Sequence, residues 1–214
     1  MVNANQVDAI IFDMDGTLWN GVECYVRGFN DFFRSKNIEK KLVKQDLYGL
    51  MGMEEDKYLE IMLPEFPYKE RKMMYKDIID LQYENIKTHG GELYPYVSEG
   101  LEELSRHYKL FIVSNCAEFT IKYFTEWAGI GKHITDSIAH APNFKPKHKN
   151  IRYLMDKYAF KKPVYVGDTA ADGEQSKIAD IPFVFVNYGF GEATTYDLKF
   201  NSFEELTHYF VPRI

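Results

Sequence analysis

Four short apolar runs punctuate the chain: DAIIFD (8–13), KLFIVSN (109–115), PVYVGD (163–168) and PFVFVN (182–187). Each is continuous rather than alternating and rich in β-branched or aromatic residues, the pattern of a strand buried on both faces. ITDSIAHA (134–141) is a weaker fifth. Helical spacing fills the gaps, at Ser98–His107, Glu118–Ala128, Lys147–Tyr158 and Ala170–Ala179. Strands alternating with helices predict an α/β fold, a Rossmann-like parallel sheet with helices on both faces.

Residues 21–90 break that alternation. They hold no convincing strand and read as helices near 21–36, 39–48, 54–62 and 68–88, the last two separated by Pro64 and Pro67. Gly90-Gly91 marks the return to the sheet. The expected organisation is a Rossmann-like core from 1–20 and 91–214, with an α-helical domain, 21–90, inserted after the first strand.

Composition narrows the class. The 214 residues are 45% hydrophobic and 16% aromatic, ample for a packed core with an insertion. A net charge of −6 argues against a dedicated nucleic-acid binder, so an anionic substrate must be met by local positive groups. Cys24 and Cys116 lie far apart in no metal-ligand spacing, which suits a reducing compartment. Asp8 and Asp13 interrupt the first apolar run, no basic segment precedes it, and no stretch approaches the roughly 20 apolar residues of a membrane span. The expectation is a cytoplasmic protein with no membrane or nucleic-acid partner.

The candidate chemistry lies at the strand ends, where open α/β sheets bind ligands. Asp13 and Asp15 stand two residues apart, so on an extended backbone both side chains point the same way. Two such carboxylates repel, and a divalent metal or a division into charged nucleophile and proton donor would relieve the conflict. Gly16 permits a tight turn and Thr17 can hydrogen-bond nearby groups. Asp168 and Asp172 repeat the theme in GDTAAD, a carboxylate pair suited to Mg²⁺, although acids also decorate helix N-termini without any metal. Ser114-Asn115 offers a hydroxyl and backbone N–H groups for phosphate oxygens, and is equally an ordinary helix cap. Lys145, ahead of Pro146, could neutralise Asp13 and a phosphoryl group.

Taken together, FDMDGT, VSN, Lys145 and GDTAAD resemble, in order and placement, the four motifs of the haloacid dehalogenase superfamily of hydrolases. The helical insertion resembles that family's C1-type cap. The resemblance implies that Asp13 attacks the phosphorus of a small phosphorylated metabolite to form an aspartyl-phosphate. Asp15 would protonate the leaving alcohol, then deprotonate the hydrolytic water. Mg²⁺ would be held by the Asp13 carboxylate, the Asp15 backbone carbonyl and Asp168, with Asp172 and Thr17 behind them. Ser114, Asn115 and Lys145 would bind the phosphoryl group. Dehalogenases in the superfamily lack the second aspartate, so Asp15 argues for phosphoryl transfer.

A Mg²⁺-dependent phosphatase is the resulting expectation. Its rivals are a sugar phosphomutase, a pyrophosphatase and, from another class, a non-catalytic scaffold. The mutases carry a histidine in the hinge helix where this chain has Tyr25, which weakens that reading. A scaffold would have lost at least one of Asp13, Asp15, Lys145 or Asp168. In the insertion, residues 49–58 read as a loop reaching into the site, with Arg27 and Lys57 as candidate anion contacts. Trp19 reads as packing.

Overall fold

A computed structural model describes residues 2–53 and 55–211. The chain opens with β1 (Ala9–Phe12), followed by a tight turn and the two-residue β2 (Trp19–Asn20). Four helices come next: α1 (Val22–Ser35), α2 (Lys44–Tyr48), α3 (Glu55–Met62) and α4 (Tyr68–Thr88). After β3 (Glu92–Leu93), strands and helices alternate: α5 (Val97–Ser105), β4 (Lys109–Ser114), α6 (Thr120–Trp127), β5 (Asp136–Ala139), α7 (Lys147–Tyr158), β6 (Pro163–Gly167), α8 (Ala170–Ile178) and β7 (Phe183–Val186). A short edge strand, β8 (Leu198–Phe200), and α9 (Phe203–Phe210) complete the fold.

Six strands form one parallel sheet in the order β5-β4-β1-β6-β7-β8. Alternate residues of each central strand enter opposite layers. Ile10, Phe12, Ile112, Val164, Val166 and Val184 belong to one apolar cluster, and Ile11, Phe111, Val113, Tyr165 and Phe185 to the other. Both faces are therefore covered, which is why these runs carry no polar alternation. The chain leaves β1 for β4 and β5 on one side, then crosses to β6, β7 and β8 on the other. This reversal of winding places the carboxyl end of β1 at the topological switch point.

The helical insertion follows the amphipathic pattern of its sequence. Val22, Tyr25, Val26, Phe29, Phe32 and Phe33 recur at i, i+3, i+4 and i+7 spacing on α1 and are buried. The second helix is shorter than the pattern predicts, because residues before Val43 are claimed by α1. The Asn30 amide donates to the Leu42 carbonyl at 3.0 Å, and its oxygen accepts from the Leu42 N–H at 2.8 Å, holding that segment against α1. Asp46 then accepts from the Val43 N–H at 2.8 Å and starts the helix. The antiparallel β2–β3 ribbon, which the apolar pattern does not signal, joins the two crossings between insertion and sheet. Edge strand β8 and helix α9 were also too short in apolar run to stand out.

Gly90 sits at the second crossing with φ +66°. A Cβ there would overlap the Trp127 ring, while the Gly90 carbonyl accepts from the Cys24 thiol at 2.7 Å. Gly90→Ala combines a left-handed backbone penalty with a clash in a packed crossing and is expected to cost at least ~2 kcal/mol. The check is a lowered urea midpoint at unchanged slope.

Candidate active site

One residue beyond β1, the Asp13 N–H donates to the Val166 carbonyl at 2.8 Å, so the sheet's own ladder fixes the base of this side chain. Asp168 follows β6 directly, and Asp172 lies in the first turn of α8. The three carboxylates converge, each offering an oxygen within 4.8 Å of the others, and all three residues are buried. Buried acids at this density require positive charge.

Lys147 supplies part of it. Its ammonium lies 2.6 Å from Asp172 Oδ1, 3.1 Å from Asp13 Oδ1 and 5.4 Å from the Tyr165 ring centre. Burial pulls the lysine pKa down, but the charges of Asp13 and Asp172 outweigh it and leave the group well above its usual range, hence cationic. The Asp13 contact is electrostatic rather than a well-formed hydrogen bond, since Asp13 Oδ1 is buried with no partner in hydrogen-bonding geometry among the described residues. That orphaned oxygen, beside Asp168, fits a divalent cation, which an all-carboxylate set would favour in a hard form. The residues present therefore fit a metal.

Lys145 does not stand beside Asp13 as expected. Its side chain is exposed, and its backbone carries the contacts: the N–H donates to Asn143 Oδ1 at 2.8 Å. Lys147 takes the place beside Asp13. Pro146 caps α7, and Lys147 is the first helical residue on the stripe Lys147, Asn150, Ile151, Leu154, all buried. Projecting the apolar positions Ile151 and Leu154 back by helical spacing reaches Asn150 and Lys147, a signal that favours Lys147 over Lys145.

Asp15 is treated differently. Its carboxylate turns away from the cluster, toward the Tyr25 hydroxyl, which lies 3.1 and 3.0 Å from its two oxygens. Burial and the neighbouring Asp13 charge raise its pKa to about 8, against the stabilising Tyr25 contact. Asp13 rises to about 6, pushed up by burial and drawn down by Lys147. Burial and the Asp172 and Asp13 charges hold Asp168 well above the usual carboxylate range.

The remaining predicted residues fall around this centre. Thr17 is buried, with its hydroxyl 3.5 Å from Asp168 Oδ1, the outer limit of a hydrogen bond. Gly16, at φ +82°, lets the turn close on Asp168, whose carboxylate a Cβ would overlap. Asp172 Oδ2 accepts from the Thr169 N–H at 3.1 Å and hydroxyl at 2.7 Å, a capping box that orients it toward Lys147. Ser114 is buried at the end of β4, and Asn115 donates its amide to the Gly52 carbonyl at 3.1 Å, tying the sheet edge to the helical insertion.

Two contributions escaped sequence reasoning. Tyr25, read from the sequence only as standing where the mutases carry a histidine, is marked as inward-facing by its i+3 placement on the α1 stripe. The Phe190 N–H donates to Asp168 Oδ2 at 2.7 Å and the Tyr188 hydroxyl to the Thr17 carbonyl at 2.8 Å. The glycine-flanked aromatics of NYGFGE, directly after β7, are the only sequence hint of that loop.

Above the carboxylates lies a cleft of about 700 Å³, its open mouth included, bounded by Asp13, Asp15, Tyr25, Ser114 and, from the insertion, Met51 and Tyr58. Residues 50–53 and 55 do reach the site as expected, while Glu54 lies outside the described residues. Arg27 and Lys57 do not line it; Arg27 pairs with Glu23 at 3.2 Å and Lys57 is exposed.

The profile of the haloacid dehalogenase-like hydrolases matches residues 10–186, from β1 to the end of β7. The chain belongs to that family. No relative is found among the curated proteins. Among solved structures, a haloacid dehalogenase-like family protein from Streptococcus pneumoniae aligns at 19% identity and TM-score 0.79, over 96% of this chain and 99% of that one. A predicted phosphoglycolate phosphatase from Haemophilus somnus aligns at 22% identity and TM-score 0.80, over 95% and 97%. A predicted phosphatase from Clostridium acetobutylicum gives 20% and 0.75, over 94% and 97%. Likeness at these identities speaks to the fold. The family match makes the protein a hydrolase. Among the described residues, no helix of this hydrolase is long and apolar enough to cross a membrane.

The pKa directions yield a stability prediction. Asp13 and Asp15 ionise near 3.8 when unfolded but near 6 and 8 in the fold, so the folded state binds more protons between those values. Stability contributed by these groups is complete below pH ~4 and is lost as pH rises toward 8. Thermal melts in chelator should fall across pH 5–8, divalent cation should stabilise most at the alkaline end, and Asp15→Asn should flatten the chelator profile.

Proposed function

We propose that this hydrolase is a Mg²⁺-dependent phosphatase acting on a small phosphate monoester through an aspartyl-phosphate at Asp13. The observation that carries the reading is the division between its two adjacent carboxylates. Asp13 faces a fixed cation, Lys147, whereas Asp15 rests on the Tyr25 hydroxyl with a pKa near 8. One is suited to attack and the other to donate a proton at neutral pH. The phosphatase names of the solved neighbours from Haemophilus and Clostridium agree with it.

In this scheme the Asp13 carboxylate oxygen attacks phosphorus as the ester P–O bond breaks. The Asp15 proton passes to the departing alkoxide. Asp15, now ionised, takes a proton from water, which attacks phosphorus and breaks the bond to Asp13. Each covalent step is easier than direct displacement on a phosphate monoester, among the slowest of uncatalysed hydrolyses. Lys147 offsets the charge of Asp13 and the phosphoryl oxygens throughout. Ser114 and backbone N–H groups near Asn115 hold a phosphoryl oxygen. Tyr25 positions Asp15 from the first helix of the insertion. Mg²⁺ held by Asp13 and Asp168, with Asp172 behind them, would neutralise developing negative charge on the phosphoryl group. The helical insertion, 21–90, acts as a cap: Asn115 and Gly52 join across the cleft, and enclosure limits the substrate to a small molecule.

Phosphate release from a panel of phosphorylated metabolites tests the reading. Metal-dependent release abolished by chelator and reduced at least ~10³-fold by Asp13→Asn is the expected result. Absence of release from a folded protein would sink it. The two lysines give a sharper comparison. Lys147→Met should cost ~3–5 kcal/mol by leaving buried carboxylates uncompensated, and lower kcat at least ~100-fold. Lys145→Met should stay within ~0.5 kcal/mol of wild type and keep most activity.

A further inference from the structure

The cleft has two unlike ends. Its floor holds Lys147, Asp168 and Asp172 and shares Asp13, Asp15 and Asn115 with the space above. A phosphoryl group placed at Asp13 therefore directs the rest of the ester into the upper chamber, whose walls come largely from the helical insertion.

That chamber is short of positive charge. Its acids are Asp13, Asp15 and Glu55, and among the described residues lining it there is neither lysine nor arginine. The nearby basic residues of the insertion are already paired, and Lys72 neutralises the chamber's own Glu55. Lys72 pairs with Glu55 and also with Asp56, Arg27 with Glu23, and Lys44 with Glu23 at 2.7 Å. His140 is the one basic side chain at the rim among the described residues, and its ring nitrogen faces the Lys145 carbonyl at 3.2 Å. At the start of α6, the Phe119 N–H is already taken by the Tyr83 hydroxyl at 3.0 Å. A second anionic group on the substrate would enter a partly desolvated space beside Asp13 and Asp15 without an unpaired counter-charge.

Neutral hydrogen-bonding groups, by contrast, are in surplus. Among the described residues, the Tyr58 and Tyr75 hydroxyls and the Gln82 amide line the chamber without a hydrogen-bond partner. Their rings are fixed: Tyr58 packs edge-on against Tyr75 at 6.2 Å and against Phe29 at 6.0 Å. Gln82 is buried, with its Cγ in the place a Cβ on Gly28 would occupy. Rigid, uncommitted neutral donors and acceptors select for hydroxyl groups, because a ligand lacking them leaves the site's polar atoms unpaired.

We infer that the chamber of Tyr58, Tyr75 and Gln82 takes the uncharged, hydroxyl-bearing leaving group of a polyol-type phosphate monoester, and that esters with a second anionic group are poor substrates. The inference rests on the phosphatase reading for its orientation. It sets this chain apart from a phosphoglycolate phosphatase, whose substrate carries a carboxylate, and from a pyrophosphatase.

Three matched esters test it: glycerol 3-phosphate, 3-phosphoglycerate and n-propyl phosphate, which differ at the carbons remote from phosphorus. Glycerol 3-phosphate should exceed 3-phosphoglycerate at least ~10-fold in kcat/KM, and n-propyl phosphate at least ~5-fold. Calorimetric binding of the same three esters to Asp13→Asn, in Mg²⁺, should follow the same order. Equal or better use or binding of 3-phosphoglycerate overturns the inference, as does failure of all three to bind. p-Nitrophenyl phosphate hydrolysis separates the two levels: without it the phosphatase reading fails, while the binding order still decides the chamber's preference. In Tyr58→Phe/Tyr75→Phe the preference for glycerol 3-phosphate over n-propyl phosphate should drop below ~2-fold. A ratio that survives the double substitution would place the selectivity elsewhere and overturn the assignment.

Discussion

The buried ammonium of Lys147, set between Asp13 and Asp172, is the contact on which the architecture of this site depends. It joins three separate pieces of chain: the end of β1, the first residue of α7 and the first turn of α8. Each brings a charge that water would otherwise hold, and each is buried by the packing of the others. Four carboxylates share this space with one ammonium, so the centre carries an excess of negative charge. Burial, and after it that excess, raises the pKa values of Asp13, Asp15 and Asp168, and the excess gives a divalent cation a reason to bind.

The sheet makes such crowding tolerable. β1 and β6 are buried along their length, β4 from Leu110 onward, and the three are locked in register, so the backbone beneath Asp13, Ser114 and Asp168 cannot relax away from the repulsion. Gly16 allows the turn after β1 to close directly over Asp168, and the Phe190 N–H satisfies the far oxygen. Preorganisation of this kind places the cost of assembling like charges in the folding of the core, where apolar burial outweighs it.

The insertion contributes at two distances. Tyr25, on α1, touches Asp15 and so couples the first helix to the carboxylate pair. Tyr58, Tyr75 and Gln82 stand farther off and line the cleft above it. The carboxylate centre and the neutral lining of the cleft thus come from different elements, with Asn115 and Gly52 joined by a hydrogen bond between them.

The sheet strands, the helices that alternate with them and the acids at their ends were legible in the sequence, because fully buried strands impose continuous apolar runs and a polar residue at such a run's end is conspicuous. Asp13, Asp15, Asp168 and Asp172 stand where local pattern places them. Short segments were not legible: the β2–β3 ribbon and β8 owe their existence to pairing partners distant in the chain, and too few residues carry a local signal. The choice between Lys145 and Lys147 turned on which residue follows the buried stripe of α7, a matter of helix orientation against the sheet. Tyr25 and the neutral chamber were decided by tertiary structure alone. A tyrosine on an amphipathic stripe reads as core whether its hydroxyl meets a carboxylate or nothing, and only the packing of α1 and α4 over the sheet's edge determines which.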